Sequence, residues 1–393
     1  MNKIVFLKFT PLTQKVYTDC CMEALLSNGY LIEYWEISKL VDAHYTNFER
    51  FDPANNLELK DVENYNEFRR LVSQNEKTLF ITLMSLKLKH IKFLKILSKQ
   101  NCKLAFWGPF PTPYERRTTV DRLKRISLKG IRAKINQEII KFCFKIKYVH
   151  LIDYMFAAGR KGCLELCLGF HIKDFMKNIQ LFPINSSDYN NYKYKTQNRV
   201  VDYDYIVFLD EYYPFHPDDD LWGTRRYPND IYYASLNRTL DIIEKHYGLK
   251  VVVAAHPKAL LYKEHNYFNG RTVLFNATGS LVKFARMAIT HDSTSMSFAV
   301  MNKIPILQLT SDWLEHNRQD LIHSIQSFSN RLALPVLNMD KVKDSDLVDI
   351  SLGLTQEQSD LFDVFIYDYC TTPGLDKSND QLILAYSNQI FNK

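Results

Sequence analysis

Three groups of polar residues in the second half of the chain carry side chains suited to acid–base and phosphate chemistry. They are the carboxylates Asp210 and Glu211, then His256 with Lys258 two residues on, then the hydroxyl run Ser293, Thr294 and Ser295. A carboxylate can take a proton from a hydroxyl nucleophile, and an imidazole can protonate or stabilise a departing phosphate near neutral pH. Hydroxyl groups at a helix start can hold that phosphate, because the first helical N–H groups lack partners and the helix dipole is positive there. These residue types together suit transfer from a nucleotide-activated donor to an alcohol.

Each group directly follows a short apolar segment that predicts a buried strand. These segments are Tyr205–Leu209, residues 250–255 and Met287–Thr290, and a helix is predicted after the last of them at Met296–Met301, with Ser293 or Thr294 as its N-cap. The carboxyl ends of parallel strands share one edge of a sheet, so we expect the three groups to meet at one crevice.

A second His-Pro pair, His216-Pro217, precedes Asp218, Asp219 and Asp220 in a predicted loop. The sequence allows this loop to be a mobile segment over the site. Three neighbouring aspartates can attract a divalent cation, but an exposed acidic turn explains them better, and we assign no metal.

The order of predicted elements favours an α/β fold with two Rossmann-like domains that face each other across a cleft. In the first half, apolar strands are predicted at residues 4–9, 30–37, 78–84, 103–107 and 148–156, with helices at 14–27 and 87–99. Apolar strands that alternate with helices indicate parallel sheets covered on both faces. The polar segment 186–198 separates the halves, so the predicted domains are 1–195, 200–375 and a C-terminal helix at 376–393.

Composition excludes several classes of protein. Hydrophobic residues make up 46% of the 393, which is ample for buried cores and argues against disorder. The chain has no glycine-rich nucleotide loop of the G-x-G-x-x-G or G-x-x-x-x-G-K-[ST] kind. Its seven cysteines are irregularly spaced and show no zinc pattern, which favours free thiols in a reducing cytoplasm. We see neither a signal peptide nor an apolar run long enough to span a membrane.

Residues 116–147 differ in charge from the rest of the chain. They contain eleven basic and two acidic residues, whereas the net charge of the whole chain is +6. Apolar residues recur there at intervals of three and four, which predicts one face of a helix. Three interpretations stay open: a solvated surface helix, a helix that contacts anionic lipid headgroups, and an RNA-binding helix, the last weakened by the lack of interleaved aromatic residues. The lipid interpretation would use Lys129, Arg132, Lys134 and Lys141.

The three polar groups resemble the motifs of the bacterial GT-B sialyltransferases and their relatives that use CMP-activated nonulosonic acids. That family has an acidic pair followed by glycine that supplies the general base, a His-Pro motif whose histidine acts as an acid or contacts the donor phosphate, and a hydroxyl pair that binds that phosphate. The matching positions are Asp210-Glu211, His256-Pro257 and Ser293-Thr294, but Tyr212 stands where the family has glycine.

The resemblance implies a metal-independent glycosyltransferase that needs no cofactor besides its nucleotide-sugar co-substrate. It would move a nonulosonic acid such as sialic acid from CMP to a glycan or lipid-linked glycan during assembly of a bacterial O-antigen, capsule or lipopolysaccharide. Such an enzyme would be cytoplasmic, either free or peripheral on the inner face of the plasma membrane, and would not bind nucleic acid. The same arrangement is similar to teichoic-acid polyol-phosphate transferases with CDP donors and, in part, to sugar-nucleotide epimerases. The alternative from another class is a non-catalytic α/β protein that binds membrane or RNA.

Overall fold

The computed structural model divides the chain into two compact units, residues 1–186 with 372–393 and residues 187–371. It describes residues 2–41, 50–53, 57–74, 78–84, 87–100, 102–109, 113, 128–150, 152–162 and 178–392, apart from the side chains at 128–130, 133 and 221–222. Within these ranges no helix combines the length and the apolar character that crossing a membrane requires.

The first unit is built on a seven-stranded parallel sheet. Its strands are β1 Lys3–Lys8, β2 Leu31–Glu36, β3 Glu58–Asp61, β4 Thr78–Thr82, β5 Lys103–Gly108, β6 Tyr154–Ala158 and β7 Gln180–Ile184. They lie in the order β3-β2-β1-β4-β5-β6-β7. Its helices are α1 Gln14–Asp19, α2 Met22–Ser27, α3 Tyr65–Ser73, α4 Ile91–Lys99 and α5 Leu128–Lys145. The apolar central strands bury side chains on both faces, as expected for a parallel sheet that helices cover.

The helix at the end of the chain, Asn379–Phe391, packs on the first unit rather than standing alone. Asn388 accepts a hydrogen bond from the hydroxyl of Tyr30 (2.6 Å), and the carbonyl of Ile390 accepts one from Lys103 (2.9 Å). The chain thus returns to the first unit after completing the second.

The second unit repeats the parallel design with six strands. They are β8 Tyr205–Leu209, β9 Lys250–Ala254, β10 Val273–Leu274, β11 Met287–Thr290, β12 Ile306–Thr310 and β13 Val336–Asn338, in the order β10-β9-β8-β11-β12-β13. Its helices are α6 Ser187–Tyr194, α7 Asp218–Trp222, α8 Asn229–Tyr247, α9 Thr278–Lys283, α10 Met296–Met301, α11 Asp312–Asn317, α12 Gln319–Leu332 and α13 Gln356–Phe365. The expected α/β fold with two Rossmann-like halves is confirmed.

Several predicted elements differ in detail. The single helix expected at 14–27 is two short helices, because Cys21 adopts a left-handed conformation (φ 53°) that interrupts the ladder. The strand expected at 148–156 begins only at Tyr154, and helix α6 occupies part of the polar segment assigned to the domain boundary. Of the basic segment, residues 128–145 are helical as predicted, whereas 116–127 lie outside the described residues.

Candidate functional site

Strand β8 lies at the centre of the second sheet, between β9 and β11, and all three run parallel. In this register Leu209 lies opposite both Ala254 and Thr290. The residues that follow each strand therefore emerge side by side at the carboxyl edge. The structure thus brings the three predicted polar groups together at one edge of one sheet.

Asp210 is buried at the head of β8, with only 3% of its surface exposed. Its Oδ2 accepts a hydrogen bond from the backbone N–H of His256 (3.4 Å), and its Oδ1 accepts one from the hydroxyl of Tyr262 (3.1 Å). The Tyr262 hydroxyl also shares a hydrogen bond with that of Tyr233 (2.7 Å). Burial outweighs these hydrogen bonds and raises the pKa of Asp210 to about 7. A carboxyl group with this pKa is poised to exchange a proton at neutral pH.

Glu211 points to the other side of the strand end and holds the turn after β11. Its Oε1 accepts three hydrogen bonds, from the Thr290 hydroxyl (2.6 Å) and from the backbone N–H groups of His291 (2.9 Å) and Ser293 (3.0 Å). Its Oε2 is buried with no hydrogen-bond partner among the described residues. Burial and, next, the negative charge of Asp292 raise the pKa of Glu211 well above its ordinary value. Glu211 is therefore a clamp on the hydroxyl turn, and its burial disfavours the charged form.

The hydroxyl turn links β11 to helix α10. Ser293 and Ser295 are half-buried and Thr294 is exposed. The expectation that Ser293 or Thr294 is the N-cap is wrong, because Ser295 occupies the N-cap position and its side chain makes no capping hydrogen bond. The Ser293 hydroxyl instead accepts the N–H of Ser295 (3.3 Å), so it tightens the turn just before the helix.

His291, the first residue of this turn, has a structural role that the sequence did not reveal. Its Nδ1 contacts the carbonyl of Leu309 (2.9 Å) and its Nε2 contacts the hydroxyl of Tyr232 (3.1 Å). Full burial lowers the pKa of His291 to about 4. A neutral imidazole with both nitrogens engaged fixes the base of the turn and is not placed to exchange protons with a substrate.

The two His-Pro pairs meet, although 40 residues separate them in sequence. The ring centroids of His216 and His256 are 4.8 Å apart, edge to face. Each ring accepts, at Nδ1, the backbone N–H two residues ahead: Asp218 for His216 and Lys258 for His256, both at 3.1 Å. This contact places the proton of each neutral ring on Nε2, where it can be donated. The pKa of His216 is lowered to about 4, first by burial and then by the positive charge of Lys258.

The acidic run after His216 forms ion pairs on the first turn of helix α7. Asp218 binds Lys258 (2.7 Å), Asp219 binds Arg318 (2.9 Å) and Asp220 binds Arg226 (2.6 Å). Each carboxylate thus has its own cation from a different part of the unit. No cluster of potential metal ligands occurs in the part of the chain that the structure describes.

Tyr212 departs from the glycine expected by resemblance, and its backbone shows why a glycine would suit. Its φ angle is 58°, in the left-handed region where a side chain is strained and glycine is not. The ring is buried and packs against Phe215 and Tyr262, with centroids at 5.5 and 5.1 Å. The turn after Asp210-Glu211 therefore keeps a glycine-like conformation with an aromatic residue in it.

The predicted lipid-side residues do not belong to this edge. Arg132, Lys134 and Lys141 lie on helix α5 of the first unit, as does the backbone of Lys129, whose side chain lies outside the described residues. Sequence reasoning also missed Tyr262, which donates a hydrogen bond to Asp210, and Tyr233, which contacts the Tyr262 hydroxyl from another element. No local pattern marks these tyrosines, because their role depends on contacts across the unit.

Comparison with known proteins concerns the fold. No protein-family model matches the chain, and no curated protein matches its sequence. Among solved structures, the wall teichoic acid polymerase TagF is similar with a TM-score of 0.56 and 12% identity, covering 100% of this chain and 89% of that one. The calicheamicin glycosyltransferase CalG4 is similar with a TM-score of 0.53 and 9% identity, covering 100% and 98%. The two Rossmann-like units of this chain thus have the GT-B fold.

Proposed function

We propose that the protein is a glycosyltransferase of surface-polysaccharide assembly that moves a sugar from a nucleotide donor to a glycan hydroxyl. The observation that carries the proposal is the position of Asp210. A buried carboxyl group with a pKa of about 7 lies next to the backbone of His256, at the same edge as a hydroxyl turn. Residues with strongly shifted pKa values that converge at a strand edge are candidates for catalysis.

In this proposal Asp210 is the general base. It takes the proton of the acceptor hydroxyl while the acceptor oxygen forms a bond to the anomeric carbon. The bond from that carbon to the donor phosphate breaks, and the electron pair leaves with the nucleotide phosphate. Glu211 is not assigned this role, because its Oε1 already accepts three hydrogen bonds and burial disfavours its charged form. It instead holds the turn that receives the leaving group.

The leaving phosphate would be bound by neutral and cationic donors at the same edge. His256 can donate from Nε2, because Nδ1 is held by the Lys258 N–H. Lys258 adds positive charge, and Ser293, Thr294 and Ser295 add hydroxyl donors. A donor with a single phosphate, such as a CMP-nonulosonate, is favoured by the resemblance of these motifs to the sialyltransferases.

A second candidate, transfer of a polyol phosphate from a CDP donor, is favoured by the contact between His216 and His256. Two adjacent imidazoles that both carry Nε2–H can bind two phosphate groups, which a CDP donor has and a CMP donor lacks. TagF, one of the structures with a similar fold, was also solved after a soak with CDPG. The nucleotide preference of this protein separates the two candidates.

The test is a melting-temperature screen of the purified chain against CMP, CDP, UDP, GDP and dTDP. A ligand that binds only the native state raises the melting temperature. At a hundredfold excess over its Kd, it increases the free energy of unfolding by about 2.7 kcal/mol. We expect CMP to give the largest shift, and the shift to be much smaller in the variant His256→Asn, whose own melting temperature should match the wild type. A larger shift with CDP supports the polyol-phosphate candidate. Indifference to all five nucleotides contradicts both candidates and leaves the non-catalytic class.

A further inference from the structure

Helix α5 of the first unit exposes a row of large apolar side chains. The row consists of Ile131, Ile135, Ile139, Phe142 and Ile146, which we call the apolar stripe, and each member exposes between 42% and 59% of its surface. Ile146 continues the helical ladder just past the end of α5, because its N–H donates to the carbonyl of Phe142 (3.0 Å). Amphipathic helices of soluble domains normally bury such a row, so this one needs an explanation.

The apolar stripe is not the face that attaches the helix to its domain. Ile140 (2% exposed) and Phe144 (7% exposed) insert into the core of the first unit. At about 100° per residue, these two lie roughly opposite the stripe, which occupies an arc of about 80°. The helix therefore has two apolar faces, one packed on the core and the other directed away from it.

Positive charge flanks the apolar stripe. Lys134, Lys141 and Lys145 project on one side of it and Arg132 on the other, while Glu138, paired with Lys141 at 2.9 Å, is the single acidic residue between 128 and 147. An apolar strip bordered by cations is the pattern of a helix that lies in the plane of a bilayer. Its apolar face then enters the acyl boundary by about 5–10 Å, and its cations contact anionic headgroups.

We propose that helix α5 docks the protein on the surface of an anionic phospholipid bilayer. The spacing from Ile131 to Ile146 gives a contact about 22 Å long, parallel to the membrane plane. Charge favours lipid over a second copy of this chain, because two stripes face to face would bring two sets of lysines together. Lipid is favoured over RNA as well, since phosphate backbones attract the cations but offer nothing to five exposed aliphatic and aromatic side chains. This inference does not depend on the proposed transferase activity.

The test is flotation of the full chain with vesicles of phosphatidylcholine alone and of phosphatidylcholine mixed with phosphatidylglycerol. We expect binding to the mixed vesicles only, decreasing as salt rises. The variant Lys134→Gln/Lys141→Gln/Lys145→Gln should weaken binding roughly a hundredfold at low salt, given the usual contribution of a cation near such a surface. The variant Ile135→Gln/Ile139→Gln/Phe142→Gln should abolish binding at every salt concentration.

Matched controls come from the second unit. The exposed lysines of Lys245→Gln/Lys263→Gln/Lys283→Gln and the exposed apolar residues of Ile231→Gln/Val348→Ser/Val364→Ser remove the same kinds of group elsewhere. Both control variants should bind as the wild type does. Equal melting temperatures show that the stripe variants are folded. The charge variant, which removes two exposed lysines and the half-buried Lys141 but no apolar side chain, gives an independent result. Binding that survives both α5 variants overturns the proposal, as does a stable dimer in solution that the apolar variant dissolves.

Discussion

The two sheets have equivalent strand orders around their first strands, yet the residues at their carboxyl edges differ in type. In each unit the first strand lies between two neighbours, β2 and β4 around β1, and β9 and β11 around β8. The two residues that follow these strands are Phe9-Thr10, Ile37-Ser38 and Leu83-Met84 in the first unit, and Asp210-Glu211, Ala255-His256 and His291-Asp292 in the second. The topology brings three loops together in both units, but titratable groups stand in these positions only in the second.

This difference has a thermodynamic side. Ile37 and Met84 extend the core of the first unit, which stabilises it. In the second unit, burial raises the pKa values of the buried Asp210 and Glu211 and of the half-buried Asp292, so removing these carboxyl groups from water costs stability. An arrangement that destabilises the fold is expected where function requires it, so among the described residues the comparison favours the second edge as the candidate site.

The largest effect should follow from replacing the two adjacent acids separately. We expect Asp210→Asn to lower turnover by about 10²–10⁴-fold, because the general base is lost. Glu211→Gln should change turnover less than tenfold, since the amide keeps the shape of the side chain and an oxygen that can accept the three hydrogen bonds of the turn. Turnover of wild type should rise with pH through about 7 and then level off, because Asp210 acts as a base only after it loses its proton.

The measurement is the pH profile of kcat/KM for wild type and both variants. Glu211→Gln should keep the rise near pH 7, which distinguishes a base at Asp210 from a general effect of removing an acid. If Glu211→Gln abolishes turnover while Asp210→Asn retains it, the roles of the two carboxyl groups are reversed.

A smaller effect is expected at His256, which has two roles in the proposal. Its Nδ1 holds a turn by accepting the Lys258 N–H, and its Nε2 donates to the phosphate. In His256→Asn the amide oxygen can still accept the Lys258 N–H, as asparagine does in turns, but no group replaces Nε2. We expect nucleotide affinity to fall roughly 10–100-fold, the usual consequence of losing a hydrogen bond to a charged group, with an unchanged melting temperature. Calorimetric titration with CMP measures the affinity.

The matched control is Ser38→Ala, at the corresponding place after β2 of the first unit. It removes a hydroxyl that donates to Glu36 (2.8 Å) and should leave the affinity for nucleotide unchanged. An equal loss of nucleotide affinity in both variants would contradict the proposal that the nucleotide binds at the carboxyl edge of the second sheet. The further variant His216→Asn then shows how much of the effect depends on the neighbouring imidazole.

Much of the fold was predictable because central strands carry a local signal. Tyr205–Leu209 and Met287–Thr290 have the predicted bounds, since short apolar runs between polar residues are typical of strands buried on both faces. Strands β3, β7 and β13 were missed. Glu58–Asp61 has the sequence ELKD and lies at the edge of its sheet, where its two outer side chains are exposed and its two inner ones are half-buried. Such a strand exists because its neighbour pairs with it, which no local pattern encodes.

The same distinction applies to the site. The meeting of Asp210, His256 and Ser293 follows from parallel topology, so the sequence predicted it. The separate environments of Asp210 and Glu211 do not follow from sequence, because they depend on Tyr262 on one side and on the turn at 290–293 on the other. The contact between His216 and His256 was beyond prediction for the same reason, as was the exposure of the apolar stripe.

The smallest effect concerns the backbone at Tyr212 and isolates one feature that sets the second edge apart. None of residues 9–13, which follow β1, has a positive φ, whereas Tyr212 after β8 does. Both Tyr212→Gly and Tyr212→Ala remove a buried ring, which should lower the free energy of unfolding by about 2–4 kcal/mol.

Glycine is usually less favourable than alanine by about 0.5–1 kcal/mol. At Tyr212 the order should reverse, with the glycine variant more stable by about 1 kcal/mol, because a left-handed conformation strains any residue with a Cβ atom. Urea unfolding of the two variants measures the difference. An alanine variant at least as stable as the glycine variant would mean that the turn relaxes once the ring is removed. The left-handed geometry would then be a consequence of the packing of Tyr212 against Phe215 and Tyr262, rather than a requirement of the strand end that holds Asp210 and Glu211.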